Sequence, residues 1–347
     1  MKLAVKAIGV AAVCFLIASC KTFEANFSPD EYLYPYIKNN QVGFLDAQLN
    51  QQISPQFKFI ENGIWPYHFS EGLAAVDFLG SVGYINRDGE IAIDPHFDYG
   101  APFQNGLALV KVDGRYGYIN RSGDLEIRPQ FYQARSFSNG LAAVQRHDGQ
   151  WGFINTEGDF AIEPQFTEAY SFSDGLALIQ DGAHNEWGYI NPKGEFVIQP
   201  KYIEAKSFSE LLAPVQLAFK QWGYINQYGA VIIESKFLEA KPFSENKAAV
   251  AMPEDPSNLQ NKKYGYINRR GQFIIEPKFD EAYAFHEGIA RIKINGKYGF
   301  IDAQGNFVAS PIYDKAWNFQ GGMALVKLDD KYGYINQKGI FVVEPLS

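Results

Sequence analysis

The stretch Tyr116-Gly117-Tyr118-Ile119-Asn120 decides how this chain is read, because it returns in recognisable form nine times. Its glycine stands at Gly43, Gly83, Gly117, Gly152, Gly188, Gly223, Gly265, Gly299 and Gly333, so six of the eight intervals are 34 to 36 residues and the other two are 40 and 42. A period of this length marks a tandem-repeat architecture, in which each unit buries its apolar face only against its neighbours. The residue before the glycine is aromatic at Trp151, Trp187, Trp222, Tyr116, Tyr264, Tyr298 and Tyr332. Glycine within a strand weakens it unless something approaches the bare backbone, and the expected neighbour here is an aromatic ring from the adjoining repeat.

Working outward, Leu107 to Val112 is an apolar, partly alternating strand, and Tyr116 to Asn120 is a second one. Asp113-Gly114 between them fits a type I′ turn, which needs positive φ at both centres. Asp148-Gly149, Asn295-Gly296, Asn39-Asn40 and Asp329-Asp330 occupy the same place in other copies. Asn120 and Gly123 then begin and end a type I turn with a glycine bulge, repeated at Asn86/Gly89, Asn155/Gly158, Asn191/Gly194, Asn226/Gly229, Asn268/Gly271 and Asn336/Gly339. These asparagines are read as turn chemistry, not as a ladder of ligands.

A third strand, Leu125 to Ile127, is expected to stop at Pro129. Beyond it, aromatics six residues apart (Phe131/Phe137, Phe166/Phe172, Phe237/Phe243, Phe279/Phe285) flank a small residue such as Ala134 or Ala169. That spacing predicts a fixed connector that plugs two rings into the core, with room for a single helical turn. Each unit is therefore a three-stranded meander plus a crossover.

At this point the chain resembles the WG-repeat family of bacterial proteins, also called KWG repeats, from about Leu33 to Pro345. The resemblance implies a β-rich repeat array that acts in binding, and it brings no catalytic residues with it. The fold expected is all-β, a tandem array of nine three-stranded meanders over residues 33–346, with atypical first and last copies. An open, curved stack is preferred, since no leftover strand is available to clasp the far end; a closed, propeller-like ring is the alternative.

Residues 1–19 carry the basic Lys2 and Lys6, an apolar run from Ile8 to Ile17, and Ala18-Ser19 directly before Cys20. This is the pattern of a cleaved signal peptide, and it resembles the lipobox of bacterial lipoproteins. The resemblance implies a mature chain that begins at a lipidated Cys20, with residues 20–32 as a short tether, and Lys21 favours the outer membrane of the bacterial envelope. Cys14 would leave with the signal, so the mature chain would have no disulfide and would hold together by its core alone. Several acyl chains on one cysteine exceed what lasting membrane attachment requires.

Lys and Arg total 31 against 39 Asp and Glu, a net charge of -8, which repels phosphate backbones and excludes nucleic acid as an expected partner. No nucleotide loop, nucleophile elbow or metalloprotease motif is present, and His68, His96, His147, His184 and His286 lack metal-ligand spacing. No enzymatic activity, cofactor or metal is expected.

Two departures from the repeat carry the functional expectations. The insertion from Met252 to Lys263 contains Pro253 and Pro256 and reads as an exposed polar loop. The position after the midway alanine is aromatic at Tyr170, Tyr283 and Trp317, which would form a stacking strip if exposed and would pad the core if not. Glu168, Glu204, Glu239 and Glu281 stand two positions before that residue or its charged equivalents, such as Lys206 and Lys241, and read as a salt-bridged ladder. The function expected is a non-catalytic, envelope-anchored scaffold for a protein or peptide partner; the alternative is a module that binds peptidoglycan or another envelope glycan.

Overall fold

Alternating apolar strands and tight turns leave this chain little choice but short antiparallel sheets, and the computed structural model, which describes residues 32–60, 68–255 and 257–346, contains nine of them. Residues 1–31, including the expected signal, Cys20 and most of the tether, lie outside the described residues. Each sheet is one blade, its three-stranded meander supplied by one repeat and its fourth strand, where present, by the preceding connector. In blade 3 the first strand, Leu107–Val112, pairs with the second, Arg115–Asn120, which pairs with the third, Leu125–Phe131.

The turns follow the residue chemistry. Asp113 and Gly114 have φ of 49° and 75°, as a type I′ hairpin requires. Asn120 Oδ1 accepts from the amides of Ser122 and Asp124 at 2.9 and 3.0 Å, and Gly123 takes φ 89°. Asp148-Gly149 differs: Gly149 N–H bonds Arg146 O at 3.0 Å, so that hairpin is a longer turn.

Leu79 heads another hairpin at φ 61° with its side chain 93% exposed, so it holds a left-handed backbone without burying anything. Leu79→Asn is expected to raise stability by about 1 kcal/mol, since asparagine tolerates that conformation; a melting temperature that fails to rise would contradict this.

Three expectations are corrected. The third strand does not stop at its proline but runs through it, because Pro129 sits in a bulge where no amide donor is needed: Ile127 faces Tyr118, yet Phe131 faces Tyr116. That bulge also explains the glycine. A Cβ at Gly117 would lie 2.5 Å from Ile127 O and 2.7 Å from Pro129 N, so the third strand's own backbone, not a neighbour's ring, covers it. Second, the connector is not helical. Gln133–Ala134 pairs with the next first strand as a short fourth strand, and six of the nine sheets are four-stranded in this way. Third, the insertion after Met252 is no loop: Lys247–Asp255 and Asn258–Asn268 continue the hairpin ladder outward to Asp255 facing Asn258.

Neighbouring blades complete each other's interior. The second ring of the repeat core meets the last connector ring of the next blade, as in Tyr118–Phe137, Phe153–Phe172, Tyr189–Phe208 and Phe300–Phe319, at centroid separations of 4.7 to 5.1 Å. Where this core ring is tyrosine its hydroxyl reaches across the same junction: Tyr118 donates to Arg135 O at 2.7 Å, and Tyr189 and Tyr224 donate to Lys206 O and Lys241 O at 2.8 Å. Burial satisfies both halves of the tyrosine, ring and hydroxyl.

These contacts close the array into a ring, so the closed alternative holds and the preferred open stack does not. In the last blade Tyr334 donates to Pro35 O at 2.7 Å and packs edge-on against Tyr34 at 5.8 Å, while Phe59 meets Tyr332 at 5.2 Å. One buried cluster joins Tyr34, Phe44 and Phe69 to Leu325 and Tyr334. Closure needs no exchanged strand because ring packing between sheet faces, the same device as at every other junction, supplies it. The seam is less snug than the rest: Leu49 replaces the turn glycine, and a cleft of about 310 Å³ opens between Leu45, Leu49, Val342 and Val343.

Candidate interaction surface

The connectors form one edge of the blades, and along it runs a band of cations and aromatic rings. Arg135 lies over Trp151 at 5.1 Å and over Tyr170 of the next blade at 4.1 Å, and its Nε donates to Ala169 O at 2.8 Å. Lys206 Nζ donates to Ala240 O at 2.9 Å and Lys241 Nζ to Ala282 O at 2.7 Å. Arg291, on a first strand, takes the corresponding role toward Ala316 O and lies 3.9 Å from the Tyr283 ring centroid. The band therefore stitches connector to connector, combining charge-assisted hydrogen bonds with cation–π contact.

Its electrostatics follow from partial burial. Burial pushes the Lys206 and Lys241 ammonium groups down, and the positive charge of Lys206 adds to the effect at Lys241. Burial alone would raise Glu239, but hydrogen bonds from Lys262 and Tyr264 outweigh it and hold the carboxyl low. Glu168, Glu239 and Glu281 of the acidic ladder are paired, and Glu281 also accepts from the hydroxyl of Tyr283 two positions on. Glu168 meets Arg135 of the preceding blade at 2.7 Å and Glu281 meets Lys293 of its own at 3.0 Å.

The three candidate rings are not gathered into one strip. Tyr170 and Tyr283 are separated by the blades that carry Lys206 and Lys241, and each has a guanidinium over its face. Tyr170 also lies 5.9 Å from Trp187, Tyr283 6.2 Å from Tyr298 and Trp317 6.1 Å from Tyr332. Trp317 is half-buried against the cluster that closes the ring. Trp151, Trp222 and Tyr264 are buried core residues. Gly152, Gly188, Gly223, Gly265, Gly299 and Gly333 all lie under the backbone of their own third strand.

Sequence reasoning passed over a second surface. The third strand is the opposite edge of every blade, and near its start Ile91, Leu125, Phe196, Val231 and Phe307 are 40–52% exposed at one repeat position. The signal was available: an apolar residue follows two places after each turn glycine. Among the described residues no group of acidic, histidine or cysteine side chains is placed to hold a metal ion, and no helix is long and apolar enough to cross a membrane.

Comparison with known proteins agrees with this geometry. The family described as WG containing repeat matches over residues 83–116, 116–149, 151–182, 187–218, 222–252, 264–298 and 298–332. No curated protein matches the chain. Among solved structures, one described as the crystal structure of the eukaryotic initiation factor is similar with a TM-score of 0.63 at 11% identity, covering 91% of this chain and 96% of that one. At such identity the likeness concerns the fold alone. The computationally designed Ika8 protein has a TM-score of 0.47 at 12% identity, covering 80% of this chain and 94% of its own. BamB from Moraxella catarrhalis has 0.42 at 12%, covering 78% and 87%. Since the matched repeats span more than half of the sequence, each running from the second strand of one blade into the first strand of the next or just past it, the chain belongs to the WG containing repeat family.

Proposed function

We propose that this protein is a non-catalytic interaction scaffold, held to the bacterial cell envelope by a lipid on Cys20, and that its partner is a protein or an extended peptide. The observation that supports this reading is the repeated row of half-exposed apolar side chains along the third strands. Among the described residues each third strand is a sheet edge whose outer ladder groups have no strand beside them, and an edge flanked by apolar side chains is what an added strand recognises. The glycan alternative loses part of its motive, because Tyr170 and Tyr283 each carry a guanidinium on a ring face that a sugar would need.

The test is capture with the chain from Lys21 to Ser347 against solubilised envelope proteins and, separately, against purified peptidoglycan. A protein should be retained, and Phe196→Ser with Phe307→Ser should reduce its retention about tenfold while the melting temperature stays within a few degrees. Retention on peptidoglycan alone would replace this reading with the glycan one.

A further inference from the structure

Blade 6 breaks the repeat at two exposed turns of one face, and its hairpin on the opposite face carries Phe219, 75% exposed, beside Lys220. The turn between connector and first strand has glycine or asparagine as its second left-handed residue in the other blades, at Gly72, Gly106, Gly140, Gly175, Asn246, Gly288 and Gly322; blade 6 has Leu211, at φ 65° and 54% exposed. A leucine held in that conformation is strained and here buries little in return. The turn between the second and third strands carries a polar residue before its glycine in the neighbouring blades, yet blade 6 has Tyr228, 87% exposed.

The two turns lie together, since the Leu211 amide donates to Asp174 Oδ2 at 2.7 Å and Gln227 Nε2 donates to Asp174 O. The tips on either side of Tyr228 are Lys193 and Arg270, both exposed. Aliphatic and aromatic side chains flanked by cations are the composition that settles at a bilayer interface. Three acidic side chains of the connector turns are turned to the rim's own backbone, Glu210 accepting from Asn246 N–H at 3.0 Å, Glu245 from Gly288 N–H at 3.0 Å and Glu287 from Gly322 N–H at 2.8 Å, while Asp88 and Glu157 stand exposed at the tips of blades 2 and 4, away from Tyr228.

The end of the tether points to the same face. Tyr34 donates to Gly321 O, and Gly321 lies in the corresponding turn of blade 9, so the chain joins the ring on the face that carries Leu211 and Tyr228. From Cys20 to Tyr32 an extended chain reaches only about 40 Å.

We infer that this turn face lies against the lipid bilayer, with Leu211 and Tyr228 entering the headgroup region and Lys193 and Arg270 meeting anionic lipid. The inference rests on the proposed anchor at Cys20. The anchor alone would leave the ring free to tumble; a second contact four blades away from blade 1, where the tether enters, lays it flat and turns the first-to-second-strand hairpins, with Lys220 and Lys331, toward solvent.

The experiment uses the full lipidated chain in vesicles of phosphatidylethanolamine and phosphatidylglycerol, acetylated with a water-soluble succinimidyl ester, the anchored protein being compared with detergent-released protein. Lys193 and Lys338, on the turn face, should react at least about fivefold more slowly when anchored, with Lys220 and Lys331 unchanged. Leu211→Asn combined with Tyr228→Ser, residues that other blades carry at these turns, should abolish the protection of Lys193 without releasing the protein from the vesicles. Equal reactivity on both faces of a protein whose amino-terminal peptide has the mass of a lipidated cysteine overturns the orientation alone. An unmodified Cys20 overturns the anchor and the orientation together, and protection of Lys220 and Lys331 instead places the opposite face on the membrane.

Discussion

Gly152→Ala should destabilise the ring by about 3 kcal/mol or more, although it adds a single methyl group to a strand residue. The Cβ would stand 2.6 Å from Ile162 O and 2.7 Å from Pro164 N, both main-chain atoms of a bulge held by its pairing with the second strand. A flexible side chain could turn aside, whereas these atoms move only if the ladder breaks. Gly149→Ala is the control: nothing lies within 4 Å of its added carbon, and only the φ of 85° opposes it, so the cost should stay near 1 kcal/mol. Calorimetric melting of the two variants decides the matter. Equal losses would mean that the third strand yields and that the repeated glycine answers some other need.

Tyr334→Ala should be comparably severe, at about 3–5 kcal/mol, and its effect should be visible as shape. Tyr334 is 5% exposed, packs its ring against Tyr34 and donates its hydroxyl to Pro35 O, so its removal opens a hole in the junction between blade 9 and blade 1. Tyr334→Phe keeps the packing and loses the hydrogen bond, for which about 1–2 kcal/mol is expected. Small-angle scattering should report a larger radius of gyration for Tyr334→Ala at temperatures where the parent is compact. If scattering is unchanged and Tyr118→Ala, at an internal junction, does equal damage, the seam is no weaker than the rest of the circle.

How much of this was legible beforehand depends on the range of the interaction involved. The Asp113-Gly114 and Asn120-to-Gly123 turns are local, set by side-chain and backbone preferences within four residues, and they formed as the residues dictate. The partner of Gly117 was not legible, because it arises from a register shift between Ile127 and Phe131 that periodicity alone does not reveal. Closure ranked only as the alternative because counting strands looks for an exchanged one, whereas Tyr34 and Tyr334 meet through packing between sheet faces. Of the candidate surface, Tyr170 and Tyr283 were identifiable as departures from the repeat. Their cationic partners were not: Arg135 comes from the preceding blade, and Arg291 comes from a different repeat position on a first strand. Leu211 and Tyr228 were readable as exceptions only once exposure and φ had shown that neither serves the core.

Because Tyr334 meets blade 1 through the kind of bond and ring contact that Tyr118 makes with blade 4, the finished circle has no privileged beginning. A cut at an exposed hairpin such as Asp113-Gly114 would leave each of these junctions intact. Which blade comes first along the sequence is thus not dictated by the ring contacts at these two junctions.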